Sequence, residues 1–370
     1  MSYQHFELPE FPCKRDMWDQ LAEETRPIVV YGMGNGADKL ISRLDKYGVQ
    51  IADFFASDGF VRGHLFHGKR VKSFSEIRET YEDFVILLSF ATRREEVLYL
   101  LREMDMRYEM LIPDMPVAGE DEYFDRDFYN RSYPEICRAY ESLSDEESRN
   151  CFAGMINYKL FGKMSFLISC FSEKEEIYSL LLKKSIAVMI DAGAYNGDTA
   201  REAKEYFPRL EKVVAIEPDK KNFKKLLKYS EAESDVRIIP INAAVWRETG
   251  EGSFSSSGNR NSSVNSTSSY EHTAETVDFL SLDSLSEDFV DYIKYDVEGA
   301  EAEALVGSFE TIKTHRPSLL VSLYHRSRDI FELINLLSSE LCDYDFKLRR
   351  LMCVPAWELD LLAVPKEKLI

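Results

Sequence analysis

The chain has 370 residues, 45% of them hydrophobic and 30% charged, which is enough for two or three globular domains at roughly 150 residues each. Its 65 acidic and 46 basic residues give a formal net charge of -19. Such a charge repels phosphate backbones and anionic lipid surfaces, so we expect no nucleic-acid partner and no membrane insertion.

The six cysteines and the apolar segments suggest a cellular location. No cysteine belongs to a C-x-x-C pair or lies near a histidine at zinc-binding spacing, which is typical of reduced thiols inside the cell. No apolar run is long enough to span a bilayer, and residues 1–14 lack the apolar stretch of a secretory signal. We therefore expect a cytoplasmic protein.

The first predicted unit alternates strands and helices. An apolar strand at Ile28–Tyr31 is followed by a glycine turn and a helix, and two more strands are predicted at Gln50–Phe55 and Phe84–Ser89. A helix over Arg93–Met104 closes the unit. Because strands that alternate with helices are typical of a parallel sheet, we assign residues 1–116 to a small Rossmann-like domain.

The glycine turn of this unit motivates a rival hypothesis. Gly32, Gly34 and Ala37 satisfy the G-x-G-x-x-G/A pattern of dinucleotide-binding folds, which would suit an NAD-dependent oxidoreductase or epimerase. However, the second strand runs into Phe54–Asp58 without a clean acid at its tip. The unit also lacks the Tyr-x-x-x-Lys pair that follows the fourth strand of short-chain dehydrogenases.

The same unit is similar to the small Rossmann-like domains that precede sugar acyltransferases and some polysaccharide enzymes. The segments that carry this similarity are Tyr31–Gly36, Phe54–Asp58 and Gly68–Val71. The resemblance implies either nucleotide-sugar binding or a purely structural role.

Residues 117–184 are predicted to form a helical connector. Gly119–Glu122 is acidic and loop-like, and after Pro134 apolar residues recur at helical spacing as far as Leu182. We expect several helices that join the two sheets and pack on the second one.

A second parallel sheet is predicted in a domain that spans residues 185–370. Its expected strands are Ala187–Ala192, Lys212–Ile216, Val236–Asn242, Thr276–Leu280, Tyr292–Tyr295 and Ser318–Leu323, and its expected helices are Asp198–Tyr206, Lys220–Tyr229, Glu301–Phe309 and Asp329–Leu341. The last pair of strands, Asp345–Arg350 and Glu358–Val364, has no helix between its members and should form an antiparallel hairpin.

Residues 253–269 are rich in serine, asparagine and glycine, which predicts a flexible loop. A loop of this length inside a compact domain is uncommon unless it is functional. We consider two alternatives, a plain surface loop and a lid over the substrate. As a lid it would offer hydrogen bonds from Asn259, Arg260 and Ser262.

The carboxyl ends of the second sheet's strands carry the clearest chemical pattern, and parallel sheets bind ligands at such ends. The first strand ends in Asp191 and a turn over 192–198 with few glycines. This turn suits the ammonium and carboxylate of a methionine moiety better than a pyrophosphate. Glu217 ends the next strand and could accept hydrogen bonds from both hydroxyls of a ribose. Small residues at 242–245 leave room for an adenine ring.

Several motifs, in this order and spacing, resemble the FkbM-type methyltransferases. They are Asp191–Asp198, Ile216–Asp219, Leu282–Leu285 and Lys294–Glu301. Tyr324–Arg326, followed by Asp329 and Ile330, resembles a bacterial subgroup of that family. Ala356–Leu359 departs from the subgroup, whose members usually have a threonine-containing segment there.

The resemblance covers residues 185–365 and implies a seven-stranded sheet whose only antiparallel strand lies in the last hairpin. It implies S-adenosylmethionine (SAM) as the cofactor and O-methylation, often of sugars or secondary-metabolite hydroxyls. The methionine end of SAM would face the first turn, Glu217 would hold the ribose, and Asn242 with Ala243 would border the adenine. The full cofactor-binding set is Asp191, Gly193, Ala194, Tyr195, Asn196, Gly197, Asp198, Glu217, Pro218, Asn242, Ala243 and Asp296.

Asp296, Glu298 and His325 are the candidate catalytic residues. Methyl transfer to a hydroxyl needs a group that takes the hydroxyl proton, and His325 is our first choice because an ordinary histidine titrates near about 6.5. Asp296 is the second choice, although it could instead orient the cofactor amine. These three side chains could also bind magnesium or manganese, but we expect no metal.

A third hypothesis is a non-catalytic interaction protein with a decayed methyltransferase fold. The intact Asp191, Gly193, Glu217 and Asp296 argue against it. For the enzyme we expect a small-molecule or glycan acceptor, and the sequence allows an oligomer.

Overall fold

The computed structural model describes residues 5–61, 63–119, 122–182, 185–255, 263–264, 274–286 and 289–369. Two parallel sheets follow each other along the chain, helices join them, and a smaller sheet is built onto the second. This architecture confirms the predicted α/β fold with two Rossmann-like sheets. Among the described residues, no helix is both long and apolar enough to cross a membrane.

The first sheet follows the predicted alternation. Its elements are α1 (Met17–Ala22), β1 (Ile28–Tyr31), α2 (Asn35–Lys46), β2 (Ile51–Ala56), β3 (Leu65–Phe66), β4 (Lys69–Arg70), β5 (Lys72–Ser73), α3 (Phe74–Thr80), β6 (Val85–Leu88), α4 (Glu95–Asp105) and β7 (Glu109–Leu111). Five strands form a parallel sheet in the order β5-β2-β1-β6-β7, and β3 pairs with β4 as a separate hairpin. The sequence missed β5 and β7 because strands of two or three residues carry no readable periodicity.

The glycine turn after β1 packs against the loop that follows β6. A Cβ atom at Gly32 would lie 2.7 Å from a ring carbon of Phe90, and one at Gly36 would overlap the carbonyl oxygen of Ser89. Gly32 also has a φ of 113°, in the region that favours glycine. Contacts within the first sheet therefore account for Gly32 of the dinucleotide-like pattern and for Gly36, which lies in the same turn but is not a position of the pattern.

The helices that connect the sheets are α5 (Arg126–Ser142), α6 (Glu146–Phe161), α7 (Met164–Ile168) and α8 (Lys174–Leu180). The prediction that helical structure starts after Pro134 is wrong, because α5 begins at Arg126 and contains this proline. Asp125 caps α5 by accepting a hydrogen bond from the Phe128 amide at 2.8 Å, which fixes the earlier start. The connector packs on the second half of the chain, as predicted, since α5 contacts the helix at 329–340 and α6 contacts the strand at 344–350.

The second half contains most of the elements. They are β8 (Val188–Ala192), α9 (Asp198–Tyr206), β9 (Lys212–Ile216), α10 (Lys220–Ala232), β10 (Arg237–Ile241), β11 (Ala244–Val245), β12 (Gly250–Ser255), β13 (Ser263–Val264), β14 (Ala274–Leu280), β15 (Tyr292–Tyr295), α11 (Glu301–Val306), α12 (Phe309–His315), β16 (Ser318–Ser322), α13 (Asp329–Glu340), β17 (Tyr344–Arg350) and β18 (Leu359–Pro365). Seven of these strands form one sheet in the order β10-β9-β8-β15-β16-β18-β17. Only β18 runs antiparallel to its neighbours, which confirms the predicted terminal hairpin.

A small sheet in the order β11-β14-β12-β13 replaces part of the predicted serine-rich loop. Because β12 pairs antiparallel with β14 from Gly250 to Ser255, the loop prediction is wrong at residues 253–255, and also at 263–264. The error arises because backbone hydrogen bonds hold these strands together. Such bonds do not depend on side-chain composition, so a polar sequence does not reveal them. The proposed lid residues Asn259, Arg260 and Ser262 lie outside the described residues.

The helix predicted over Glu301–Phe309 is two helices. The first ends at Val306 and the second begins at Phe309. A Cβ atom at Gly307 would overlap the carbonyl oxygen of Trp246, so the backbone passes close to the small sheet at this break.

The first and second sheets meet through a short backbone contact. Thr92, after β6, and Val354, between β17 and β18, exchange two hydrogen bonds of 2.7 and 2.9 Å. Lys39 of α2 also donates to the carbonyl oxygen of Pro116 at 3.0 Å. The exchange between Thr92 and Val354 brings the loop after β6 to the terminal hairpin.

Candidate active site

A cavity lies at the carboxyl ends of β8, β9, β15 and β16, where parallel sheets form ligand sites. The predicted site residues in its wall are Gly193, Tyr195, Asp198, Glu217, Pro218, Asp296 and Glu298. The predicted residues that adjoin this wall without forming it are Asp191, Ala194, Asn196, Gly197, Asn242, Ala243 and His325. The structure therefore places the predicted residues at one end of the sheet, some of them in the cavity wall and the others next to it.

The turn after β8 is shaped by two glycines. Gly193 has a φ of 91°, and a Cβ atom there would overlap the carbonyl oxygen of Asp296. Gly197 has a φ of 82°, and its Cβ would lie 2.5 Å from the ring of Tyr229. Glycine at these positions lets the turn approach β15 and lets α9 begin at Asp198.

Glu217 faces the cavity from the end of β9. Its Oε2 accepts a hydrogen bond from the Tyr195 amide at 2.8 Å, and its Oε1 accepts one from the Asp219 amide at 2.9 Å. Burial raises the pKa of this carboxyl to about 8, even though both amides favour the ionised form. Asn242 lies behind it and donates to the carbonyl oxygens of Glu217 at 2.7 Å and Pro218 at 3.1 Å. Asn242 thus fixes the backbone that presents Glu217.

Lys294 connects two acids of the site, and it was not among the predicted site residues. It stands opposite Asp191 in the register of β15 and β8. Its Nζ donates to Oδ2 of Asp296 at 3.0 Å and to the hydroxyl of Thr199 at 3.4 Å. Burial raises the pKa of Asp191 to about 7, and Lys294 opposes this. A lysine inside an otherwise apolar strand was the available sequence signal.

Asp296, Glu298 and His325 form one cluster. The hydroxyl of Tyr324 donates to Oδ1 of Asp296 at 3.2 Å. Nε2 of His325 lies 3.5 Å from Asp296 Oδ1 and 3.5 Å from Glu298 Oε2. Its Nδ1 lies 2.9 Å from Oε1 of Glu301, a residue that is 1% exposed. The imidazole is completely buried and contacts each of the two wall carboxylates.

The charges of this cluster set the protonation of its members. Burial favours neutral Asp296, but Lys294, His325 and the Tyr324 hydrogen bond outweigh it and lower the pKa of Asp296 to about 2. Burial also favours neutral His325, but Glu301, Glu298 and Asp296 together raise its pKa to about 10. His325 therefore carries its proton at neutral pH, and the ordinary pKa on which we based its role as a base does not apply.

The loop after β15 is strained and held from outside the sheet. Glu298 has a φ of 53°, which is uncommon for a residue with a side chain. A Cβ atom at Gly299 would lie 2.7 Å from Cβ of Ala118. The amides of Val117 and Ala118 both donate to the carbonyl oxygen of His325 at 2.9 Å. The connector thus fixes the backbone of the carboxylate cluster.

The terminal hairpin supplies a further group of cavity residues that the sequence did not point to. Asp360 is 6% exposed, and its Oδ1 accepts a hydrogen bond from the hydroxyl of Ser322 at 3.2 Å. Trp357 and Glu358 lie beside it in the wall. Arg93, from the loop after β6, pairs with Glu358 at 3.1 Å and also lines the cavity. No motif could reveal this contact between two distant segments.

The described residues contain no group of three or more His, Cys, Asp and Glu side chains arranged to hold a metal ion. Asp296, Glu298 and His325 do converge, but as an imidazolium between carboxylates.

Comparisons with known proteins agree with this geometry. Residues 191–348 match the model of the Methyltransferase FkbM domain. The structure is similar to that of the methyltransferase FkbM from Methylobacillus flagellatus KT, with a TM-score of 0.69 and 20% identity over 97% of this chain and 94% of that one. A weaker likeness links it to SMU.1697c from Streptococcus mutans, a structure in complex with SAH, with a TM-score of 0.34 and 10% identity over 52% of this chain and 98% of that one. No curated protein sequence matches the chain.

The seven-stranded sheet is the fold that the chain shares with the solved FkbM structure, and the family match over residues 191–348 indicates a SAM-dependent methyltransferase. Residues 191–348 match the FkbM methyltransferase family, as the motifs in this stretch predict.

Proposed function

We propose that this protein transfers the methyl group of SAM to a hydroxyl oxygen of a sugar or secondary metabolite. The observation that carries the proposal is that Glu217 and Asp296 line the same cavity on either side of Gly193. The strand order reverses at β8, so this is the point at which open parallel sheets bind nucleotide-like ligands.

The residues present fit SAM. Each oxygen of Glu217 accepts a hydrogen bond from one backbone amide and has a second lone pair that can accept one from a ribose hydroxyl. The turn at Gly193 to Asp198 would face the methionine end, with Asp191 beneath it. Ala244 and Val245, which line the wall next to Asn242 and Ala243, would border the adenine. The cavity wall carries more carboxylates than cations near Asp296, which complements the sulfonium of the cofactor.

Asp296 and Glu298 would act as ionised groups at the reaction site. Because Asp296 stays ionised well below neutral pH, it suits a cation, namely the amino group or the sulfonium of SAM, better than it suits proton abstraction. His325 would act as a positioning residue, since it contacts both carboxylates and does not line the cavity. SAM supplies an activated methyl group, so most of the rate gain comes from holding the acceptor in line with it.

Calorimetry with SAM and its demethylated product SAH tests the cofactor site. We expect Glu217→Ala to abolish binding, because the ribose loses its acceptor. Glu211→Ala is the matched control, since Glu211 is exposed and precedes the opposite end of β9. Equal affinity of both variants would contradict the proposed role of Glu217, and a wild-type chain without affinity for SAM or SAH would contradict the function itself.

The acceptor class needs a separate measurement. Incubation with SAM and a panel of sugars, phenols and amines, followed by mass spectrometry, should show that hydroxyl compounds gain a methyl group in place of a hydrogen. Exclusive methylation of amines would contradict O-methylation and leave the cofactor assignment intact.

For the first sheet we propose a structural role and a contribution to the cavity rim. Packing against Phe90 and Ser89 accounts for Gly32 and Gly36, and Arg93 reaches the cavity. Fluorescence titration with NADH and with a nucleotide sugar tests this proposal, because saturable binding of either would assign a ligand to the glycine turn.

A further inference from the structure

The half of the cavity over the terminal hairpin has polar groups that the cofactor roles above do not use. Ser322, Trp357, Glu358 and Asp360 belong to it, and Arg93 reaches it from the first sheet. These residues come from β16, from the hairpin and from the loop after β6. The methyl acceptor must contact the reaction site from a part of the cavity that the cofactor leaves free, and this half adjoins Asp296 and Tyr324 in the same wall.

Strand register places Asp360 on the same face of the sheet as Lys294. Lys294 lies opposite Leu320, Ser322 follows two positions later on that strand, and Asp360 lies opposite Ser322. Residues opposite each other, or two apart on one strand, share a face. Asp360, Ser322 and Lys294 therefore point into one cavity, and the bond from the Ser322 hydroxyl orients the Asp360 carboxyl.

The other acids and bases near the reaction site are already committed. Asp296 accepts hydrogen bonds from Lys294 and Tyr324 and lies beside the His325 imidazolium, so it is a weak proton acceptor. His325 holds a proton between three carboxylates. Asp360 is different, since the contact from Ser322 comes from a neutral hydroxyl.

The charged and titratable groups around Asp360 come from several elements. They are Glu358 on its own segment, Lys294, Asp296 and Tyr292 on and after β15, Tyr324 after β16, and Arg349 opposite it on β17. The guanidinium of Arg349 is engaged by Glu176 at 2.6 Å and Asp145 at 3.2 Å. Burial and then Glu358 raise the pKa of Asp360 to about 8, with Lys294 opposing. A base near the working pH is the efficient kind.

We propose that the acceptor hydroxyl binds in this half of the cavity and gives its proton to the carboxylate of Asp360, an inference that rests on the proposed function. The acceptor oxygen gains a bond to the methyl carbon, the carbon–sulfur bond breaks with both electrons left on sulfur, and the hydroxyl proton moves to Asp360. The proton then leaves to solvent. Trp357 and the pair of Arg93 with Glu358 form the wall around the acceptor.

The test compares Asp360→Asn with Asp345→Asn in the full chain. Asp345 lies on the neighbouring strand β17 and is half-buried, which makes it a matched control. The measurements are SAH affinity by calorimetry, SAH release from SAM with glycerol, methyl glucoside or phenol as acceptor, and the infrared carboxyl band between about pH 6 and 9.

We expect both variants to bind SAH like the wild type. The turnover of Asp360→Asn should fall by about 10²–10⁴-fold, and its rate should no longer rise with pH. It should also lose a carboxyl band that titrates in that range, and Asp345→Asn should lose none of these.

Two outcomes would overturn the inference and spare the cofactor site. One is an Asp360→Asn variant that keeps its turnover and pH profile. The other is a wild-type chain that binds SAH but does not form SAH from SAM any faster when one of the three hydroxyl compounds is present. A wild-type chain that binds no SAH would instead refute the proposed function, and the inference would fall with it.

Discussion

Asp191 and Lys294 stand directly opposite each other on the parallel strands β8 and β15, and both carboxylate oxygens of Asp191 are buried without a hydrogen-bond partner among the described residues. Lys294 gives its hydrogen bonds to Asp296 and Thr199 instead. One buried cation therefore balances Asp191, which lies beneath the turn at Gly193, and Asp296 in the cavity wall. This relationship ties the stability of the sheet to the charge of the site.

Replacement of Lys294 by methionine tests that coupling. Removal of one partner of a buried ion pair costs about 3–5 kcal/mol, because the remaining charge is left uncompensated. We expect Lys294→Met to lower the unfolding midpoint in calorimetry and to weaken SAH binding. Lys347→Met, on the edge strand β17 of the same sheet, is the control and should change neither. An unaltered unfolding midpoint for Lys294→Met would show that the pair contributes no net stability.

The close approach at Gly193 gives a second prediction. Because a Cβ atom there would overlap the backbone oxygen of Asp296, Gly193→Ala should displace the turn, destabilise the fold and abolish SAH binding. Gly250→Ala is the control, since nothing lies within 4 Å of a Cβ atom at that position. Normal SAH affinity of Gly193→Ala in calorimetry would mean that the turn adjusts at no cost to the site.

His325→Gln separates a positioning role from a direct one. The substitution removes the positive charge between Asp296, Glu298 and Glu301, and an uncompensated buried carboxylate costs about 3–5 kcal/mol. We expect a lower unfolding midpoint at neutral pH together with weaker SAM binding, and His315→Gln should change neither. A fall in turnover with unchanged stability and SAM affinity would instead show that His325 takes part in the reaction itself.

The raised pKa values of the buried carboxyls predict how stability depends on pH without ligand. Asp191 and Asp329 titrate near about 7, and Glu217 and Asp360 near about 8, whereas ordinary carboxyls titrate near about 4. Between these values the folded chain binds more protons than the unfolded chain, so stability falls as pH rises. The raised pKa of His325 extends the decline towards about pH 10.

Thermal unfolding of the ligand-free chain should therefore show a midpoint that decreases from about pH 5 to about pH 8. Asp360→Asn should flatten part of this slope, and Asp345→Asn should leave it unchanged. A midpoint that rises over this interval would contradict the raised pKa values.

Local sequence was sufficient for the features that depend on neighbours along the chain. The strand, turn and helix at β8 and the acid at the end of β9 follow from periodicity and from glycine placement, so the gathering of Glu217 and Asp296 at one edge was predictable. The start of α5 was not, because a cap at Asp125 outweighs a proline further along.

The remainder of the site depends on contacts between distant segments. The proton on His325 is set by carboxylates that the fold brings together, and a single histidine in a sequence carries no sign of them. Asp360 looked like one charge in an apolar strand, and its relation to Ser322 exists only in the antiparallel register. Arg93 belongs to the other sheet altogether.

The backbone exchange between Thr92 and Val354 lies next to Arg93, so the wall of the cavity includes a residue from the first sheet. A change in the loop after β6 would alter this part of the wall and leave the turn at Gly193 untouched. Relatives that share the cofactor motifs but differ in their N-terminal sheets should therefore diverge in what they modify while they continue to use the same methyl donor.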